Sequence, residues 1–97
     1  MMGREATYNG WTNYETWNVK LWLDNDEGTS YMVEEWAAEN REDAYRLAEL
    51  IKDYCEECAP DLPASMYSDL LRGALDSVDW REIAEAYIED LPEIDEE

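Results

Sequence analysis

A chain of 97 residues that carries 26 carboxylates and only seven bases has to fold against its own repulsion. A formal net charge of −19 at pH 7 belongs, taken alone, to disordered chains that bury too little apolar surface to offset the entropy of ordering. The apolar content points the other way. It reaches 45% of residues, and five Trp and seven Tyr supply rings with large areas to bury. The sequence therefore describes a folded protein with a strongly acidic surface, and salt should relieve the strain of its charge.

The same composition excludes several kinds of chemistry. With no His in the chain there is no imidazole base, no Ser-His or Cys-His pair and no His-ligated metal. Seven scattered bases cannot neutralise a phosphate backbone, so no direct nucleic-acid contact is expected. No run of apolar residues is long enough for a transmembrane helix, and an anionic lipid surface would repel the chain. Residues Met1 to Glu5 lack the apolar stretch of a secretory signal. The expectation is a cytoplasmic protein of one domain, 1–97, that is not an enzyme and uses no cofactor.

The apolar spacing is helical almost throughout, and predicts an all-α fold: a compact bundle of about five short helices with an irregular N-terminus, 1–11, and an acidic tail, 93–97. Asn9-Gly10 marks a turn in the N-terminal stretch. Thr12 and Glu15 have capping-box spacing for a first helix over Asn13–Asn25, with Gly28 as its stop. Thr29 or Ser30 then caps a second helix to about Glu39, with Met32, Val33, Trp36 and Ala37 inward. Asn40 caps a third, Arg41 to Cys58, striped by Ala44, Leu47, Ala48, Ile51, Cys55 and Cys58. Pro60 and Pro63 bracket a linker, 59–64. A fourth helix, Ser65–Ser77, turns Tyr67, Leu70, Leu71, Ala74 and Leu75 inward. Asp79 and Glu82 form a capping box for a fifth, whose stripe is Trp80, Ile83, Ala84, Tyr87, Ile88 and Leu91, before Pro92 stops it.

Three constellations have both a chemical and a structural reading. Cys55 and Cys58 form a CxxC, but zinc normally takes four ligands and no second pair exists in the chain. Their place on the apolar stripe reads as buried thiols; a metal shared between two chains and a redox role are the other readings. Asp24 to Glu35 has the length of a calcium loop, but Thr29 stands where that loop requires Gly. A helix end followed by a capped restart explains the same residues. The rings of Tyr8, Trp11, Tyr14, Trp17 and Trp22 lie close together in sequence with Lys20 as the only base among them, which favours packing over base stacking. An exposed ring among them would serve as an anchor in a partner's pocket.

The acids are unevenly placed. Residues 82–97 hold eight carboxylates and no base. Glu82, Glu85 and Glu89 fall at i, i+3 and i+7, opposite the apolar stripe, and Glu85 and Glu89 are about 6 Å apart along the axis. Glu42, Glu49, Asp53, Glu56 and Glu57 form a second outward set on the third helix, diluted by Arg46 and Lys52.

Residues 9–28, from Asn9-Gly10-Trp11 through Trp17 and Trp22 to Gly28, resemble the opening motif of a family of short proteins from phages, mobile elements and prokaryotic genomes. That family has no known function, so the resemblance implies a mobile-element setting and no activity. Size, charge and helicity are also similar to those of DNA-mimic antirestriction proteins, without a shared motif. The expected function is that of an acidic interaction protein, a DNA mimic that occupies the basic groove of a host DNA-binding protein such as a restriction or CRISPR nuclease. Its contact residues are expected to be Glu82, Glu85, Glu89 and Asp90 first, then Glu49, Asp53, Glu56 and Glu57. The alternative is a helical adaptor that binds through rings near Trp11–Trp22 and whose acidity reflects solubility or salt adaptation.

Overall fold

The computed structural model describes residues 8–92. They form five helices: α1 (Tyr14–Asn25), α2 (Glu27–Glu39), α3 (Ala44–Cys58), α4 (Met66–Ser77) and α5 (Trp80–Glu89). The expected tail, 93–97, and residues 1–7 lie outside the described residues. Among the described residues there is no strand, only an isolated bridge between Tyr8 and Trp11. Asn9-Gly10 makes the turn that closes it. The Tyr8 N–H donates to the Trp11 carbonyl at 2.7 Å, and the Trp11 N–H returns a bond of 2.8 Å. Asn9 and Gly10 both have positive φ, +50° and +89°, which is what the tightest hairpin turn demands of its two central residues.

Each helix starts on a side-chain cap, and several caps differ from the sequence expectation. Asn13, not Thr12, caps α1: its Oδ1 accepts from the Thr16 N–H at 2.9 Å and from Thr16 Oγ1 at 2.6 Å. An amide has a donor as well, and Asn13 Nδ2 bonds the Ser77 carbonyl at 2.8 Å, so one side chain serves two helix ends. Gly28 is not a stop. The chain breaks at a single residue, Asp26, whose carboxylate accepts from the Gly28 N–H at 3.2 Å and from Thr29 Oγ1 at 3.1 Å. With that cap in place α2 begins at Glu27, and Thr29 and Ser30 sit inside it. Residues 24–35 are thus two helices meeting at one junction, and no calcium loop exists there.

Asn40 ends α2 instead of starting α3. Its N–H and its side-chain amide both donate to the Trp36 carbonyl, at 3.0 and 2.9 Å. Asp43 caps α3, which therefore begins at Ala44 rather than Arg41. The start of α4 agrees with expectation, through a reciprocal capping box between Ser65 and Ser68. Only half of the box expected at α5 is present. Asp79 accepts from the Glu82 N–H at 3.1 Å, but Glu82 Oε1 turns to the Thr12 N–H at 3.1 Å.

Helices α2, α3 and α5 pack around the centre, with Val33, Leu47, Ile51 and Ile83 wholly buried. The stripes expected on α2 and α5 face this core. The stripe on α3 does so up to Cys55, whereas Cys58 is exposed. Glu56, Glu57 and Cys58 are all exposed, because the last turn of α3 runs past the core. The largest departure is α4. It packs against α1 and has no buried residue. Leu71, Ala74 and Leu75 are half-buried, but Tyr67 and Leu70, both expected inward, are exposed. Its apolar stripe is wide, and only one edge of it finds neighbours. Aromatic rings also contribute less to the core than the composition suggests: Trp80 and Tyr87 are buried, while Tyr8, Tyr14 and Trp22 are exposed.

Candidate functional site

The carboxylates of α5 owe their placement to the way its first turn is anchored. Thr16, fully buried on α1, accepts a hydrogen bond from the Asp79 N–H at 2.8 Å. That bond ties the start of α5 to the start of α1. Glu82, Glu85 and Glu89 then line one open cleft together with Gly10, Trp11 and Ala86. The first expected contact set is therefore largely brought together. Its members are not equivalent, however. Glu82 is half-buried and spent on the Thr12 N–H, and Glu85 pairs with Arg81 at 3.2 Å. Asp90 lies elsewhere, in a cleft with Lys20, Asp24 and Glu34.

The second set does not join the first. Glu49 pairs with Arg46 at 3.3 Å and Glu56 with Lys52 at 3.4 Å, each within α3. Glu49 lines a groove with Tyr45, Lys52 and Trp80, and Glu56 lines another with Asp61, Arg72 and Asp76. Asp53 and Glu57 are exposed on α3, and among the described residues they have no ion pair. Glu42, expected to face outward but not among the expected contact residues, shares a cleft with Arg41, Arg81, Glu85 and Glu89. It lies just before α3, so no helical spacing links it to α5; only the packing of α3 on α5 does.

Four of the six bases among the described residues pair with a carboxylate of their own helix. Arg46, Lys52 and Arg81 each pair with a carboxylate on their own helix, at i+3 or i+4. Lys20 is the most enclosed, with a side chain only 13% exposed. Its ammonium donates to Asp24 Oδ2 at 2.6 Å and stands 4.4 Å from the Tyr87 ring centroid and 5.9 Å from that of Trp11. The Tyr87 hydroxyl donates to the other oxygen, Asp24 Oδ1, at 2.6 Å. Burial, then the bond to Asp24, raises the Tyr87 phenol far above its ordinary value of 10.0. This Lys20–Asp24–Tyr87 cluster was half legible: the i, i+4 pair is visible in sequence, but Tyr87 is 63 residues from Asp24.

Cys55 and Cys58 divide rather than converge. Burial pushes the Cys55 thiol up to about 11, with the neighbouring Cys58 and Glu56 adding to the effect. A thiol so raised is a poor nucleophile at neutral pH. Among the described residues no group of three or more Cys, Asp and Glu side chains is arranged to hold a metal ion.

What the fold and surface define is a class: an acidic all-α protein whose helices turn carboxylates outward and keep most of their bases occupied at home. Within that class, the match to a family of unknown function, DUF7249, over residues 4–97 places the chain plainly as a member of that family. The match takes in residues 9–28 and nearly all the rest of the chain, and the family's description carries no mobile-element setting. No curated protein and no solved structure matches it. No helix among the described residues is long and apolar enough to cross a membrane.

Proposed function

We propose that this protein acts by binding, not by catalysis, and that its target is a basic protein surface of the kind that holds DNA. B-DNA carries one negative charge per about 1.7 Å of its axis, and the grooves that grip it are lined with Lys and Arg. The observation that carries the reading is the pairing of the bases. Arg46, Lys52 and Arg81 are matched by carboxylates of their own helices and Lys20 is enclosed, so few bases are left to offset the acids of a chain whose net charge is −19, and the helices that present those acids begin on side-chain caps. A caged, ordered array of this kind meets a basic groove with little further loss of freedom. The contact surface centres on Glu85 and Glu89 of α5 with Glu42 beside them, rather than on Glu82, which is committed to the Thr12 N–H. A restriction or CRISPR nuclease is the target class this chemistry fits best.

The test is competition. The pure protein should displace labelled duplex DNA from such a nuclease at low salt, and the effect should fall steeply as salt rises. Glu85→Gln with Glu89→Gln should weaken it at least tenfold. Failure to displace DNA from a panel of restriction and CRISPR nucleases at low salt sinks the proposal. The adaptor reading has one observation of its own. Tyr8, Tyr14 and Trp17 pack against each other, with centroids 4.9 to 5.7 Å apart, at the surface rather than in the core. Loss of partner binding on Tyr14→Ala, with α5 variants silent, would favour it.

A further inference from the structure

The outer face of α4 carries apolar side chains that no other described residues cover. Met66, Tyr67 and Leu70 are 62%, 66% and 63% exposed, although their helix also supplies half-buried Leu71 and Leu75 to the body of the protein. Met66, Leu70, Gly73 and Ser77 fall at i, i+4, i+7 and i+11, the spacing of a single seam down a helix. A Cβ placed on Gly73 would meet nothing within 4 Å, so the seam has an open notch at its middle. Tyr67 and Ala74 border it on one side, and Asp69 and Asp76 on the other. The one base of α4, Arg72, lines the groove between α4 and the end of α3, beside Glu56 and Asp61, and Asp76 stands at the same groove's edge.

From this geometry we infer that α4 is a docking surface for a basic amphipathic helix of a partner protein. Such a helix lays its apolar face along Met66, Leu70 and the Gly73 notch, and its Lys or Arg residues reach Asp69 and Asp76. Charge decides against a second copy of this chain as the occupant. Antiparallel pairing of two α4 helices sets like flanks against each other, so Asp69 and Asp76 would face their own counterparts, on bodies that each carry −19. The surface is separate from the α5 carboxylates, and the inference does not rest on the proposed DNA mimicry.

The experiment uses a labelled 18-residue Leu/Lys amphipathic helical peptide, titrated into the full-length protein at 0.3 M NaCl and followed by fluorescence anisotropy. A peptide of the same composition with its amphipathic order scrambled serves as the reference. The ordered peptide should bind at least tenfold more tightly than the scrambled one. Met66→Ser with Leu70→Ser should remove that advantage. So should Gly73→Lys, which fills the notch with a charge and removes no packing. Glu85→Gln with Glu89→Gln should change affinity less than twofold. Equal binding of the two peptides, or loss of binding with the α5 variant but not with the α4 variants, overturns the inference. Sedimentation that shows dimers dissolved by Gly73→Lys overturns it as well, because the occupant is then a second copy.

Discussion

A single hydroxyl does a large share of the work at the junction of α1 and α5. Tyr87 is buried, yet its oxygen finds Asp24, and Asp24 in turn holds Lys20 beside two rings. Tyr87→Phe keeps the ring and deletes one bond to a charged acceptor. It should cost about 1.5–3 kcal/mol in a urea titration, the usual worth of such a bond. The pH dependence has a definite sign. The folded state keeps the phenolic proton that the unfolded chain gives up above about pH 10, so this contribution is complete below pH 10 and falls as pH rises beyond it. The Phe variant should lose that part of the alkaline slope. Cys55 behaves the same way in an earlier window, from its ordinary 9.0 to about 11, and Cys55→Ala should flatten stability across it. At pH 8 iodoacetamide should label exposed Cys58 long before Cys55, whose burial keeps its thiol protonated; peptide mass spectrometry reads the order.

At the scale of elements, helix starts were the hardest feature to place. The sequence offers an excess of good caps: Thr12 beside Asn13, Asp26 before Thr29 and Ser30, and Asn40 before Asp43. Local rules cannot choose among neighbours of similar strength. At α1 the side chain that prevails, Asn13, also satisfies a group on another helix, the Ser77 carbonyl. Gly28 shows the consequence. Read as a stop, it should resist substitution; inside α2 it should welcome Ala. A Cβ there meets only Asp26 Oδ1, at an ordinary 3.7 Å, and φ is not positive. Gly28→Ala should therefore stabilise the protein by about 0.5–1 kcal/mol, whereas Asp26→Ala, which removes the cap, should cost about 0.5–2 kcal/mol. Thermal melts of the two variants should move in opposite directions.

Across the whole molecule, charge and core pull against each other. The wholly buried side chains are few and, Thr16 apart, aliphatic, and half of the twelve rings are exposed, so the margin against repulsion is thin. Raising NaCl from 0.02 to 0.5 M should lift the melting temperature by several degrees, since about 1 kcal/mol corresponds to about 4–8 °C in a protein of this size. A melting temperature that stays flat would mean that the carboxylates are too widely spread to repel one another. The sequence by itself determined the helical class, the linker at Pro60 and Pro63, the Asn9-Gly10 turn and the inward stripes of α2 and α5. Each of these is a matter of period or of a residue's own backbone limits. Which apolar face stays bare on α4, which carboxylates gather around Glu85, and which cap prevails were decided only in the folded molecule. They depend on what stands opposite a side chain, and a partner dozens of residues away leaves no mark on local spacing.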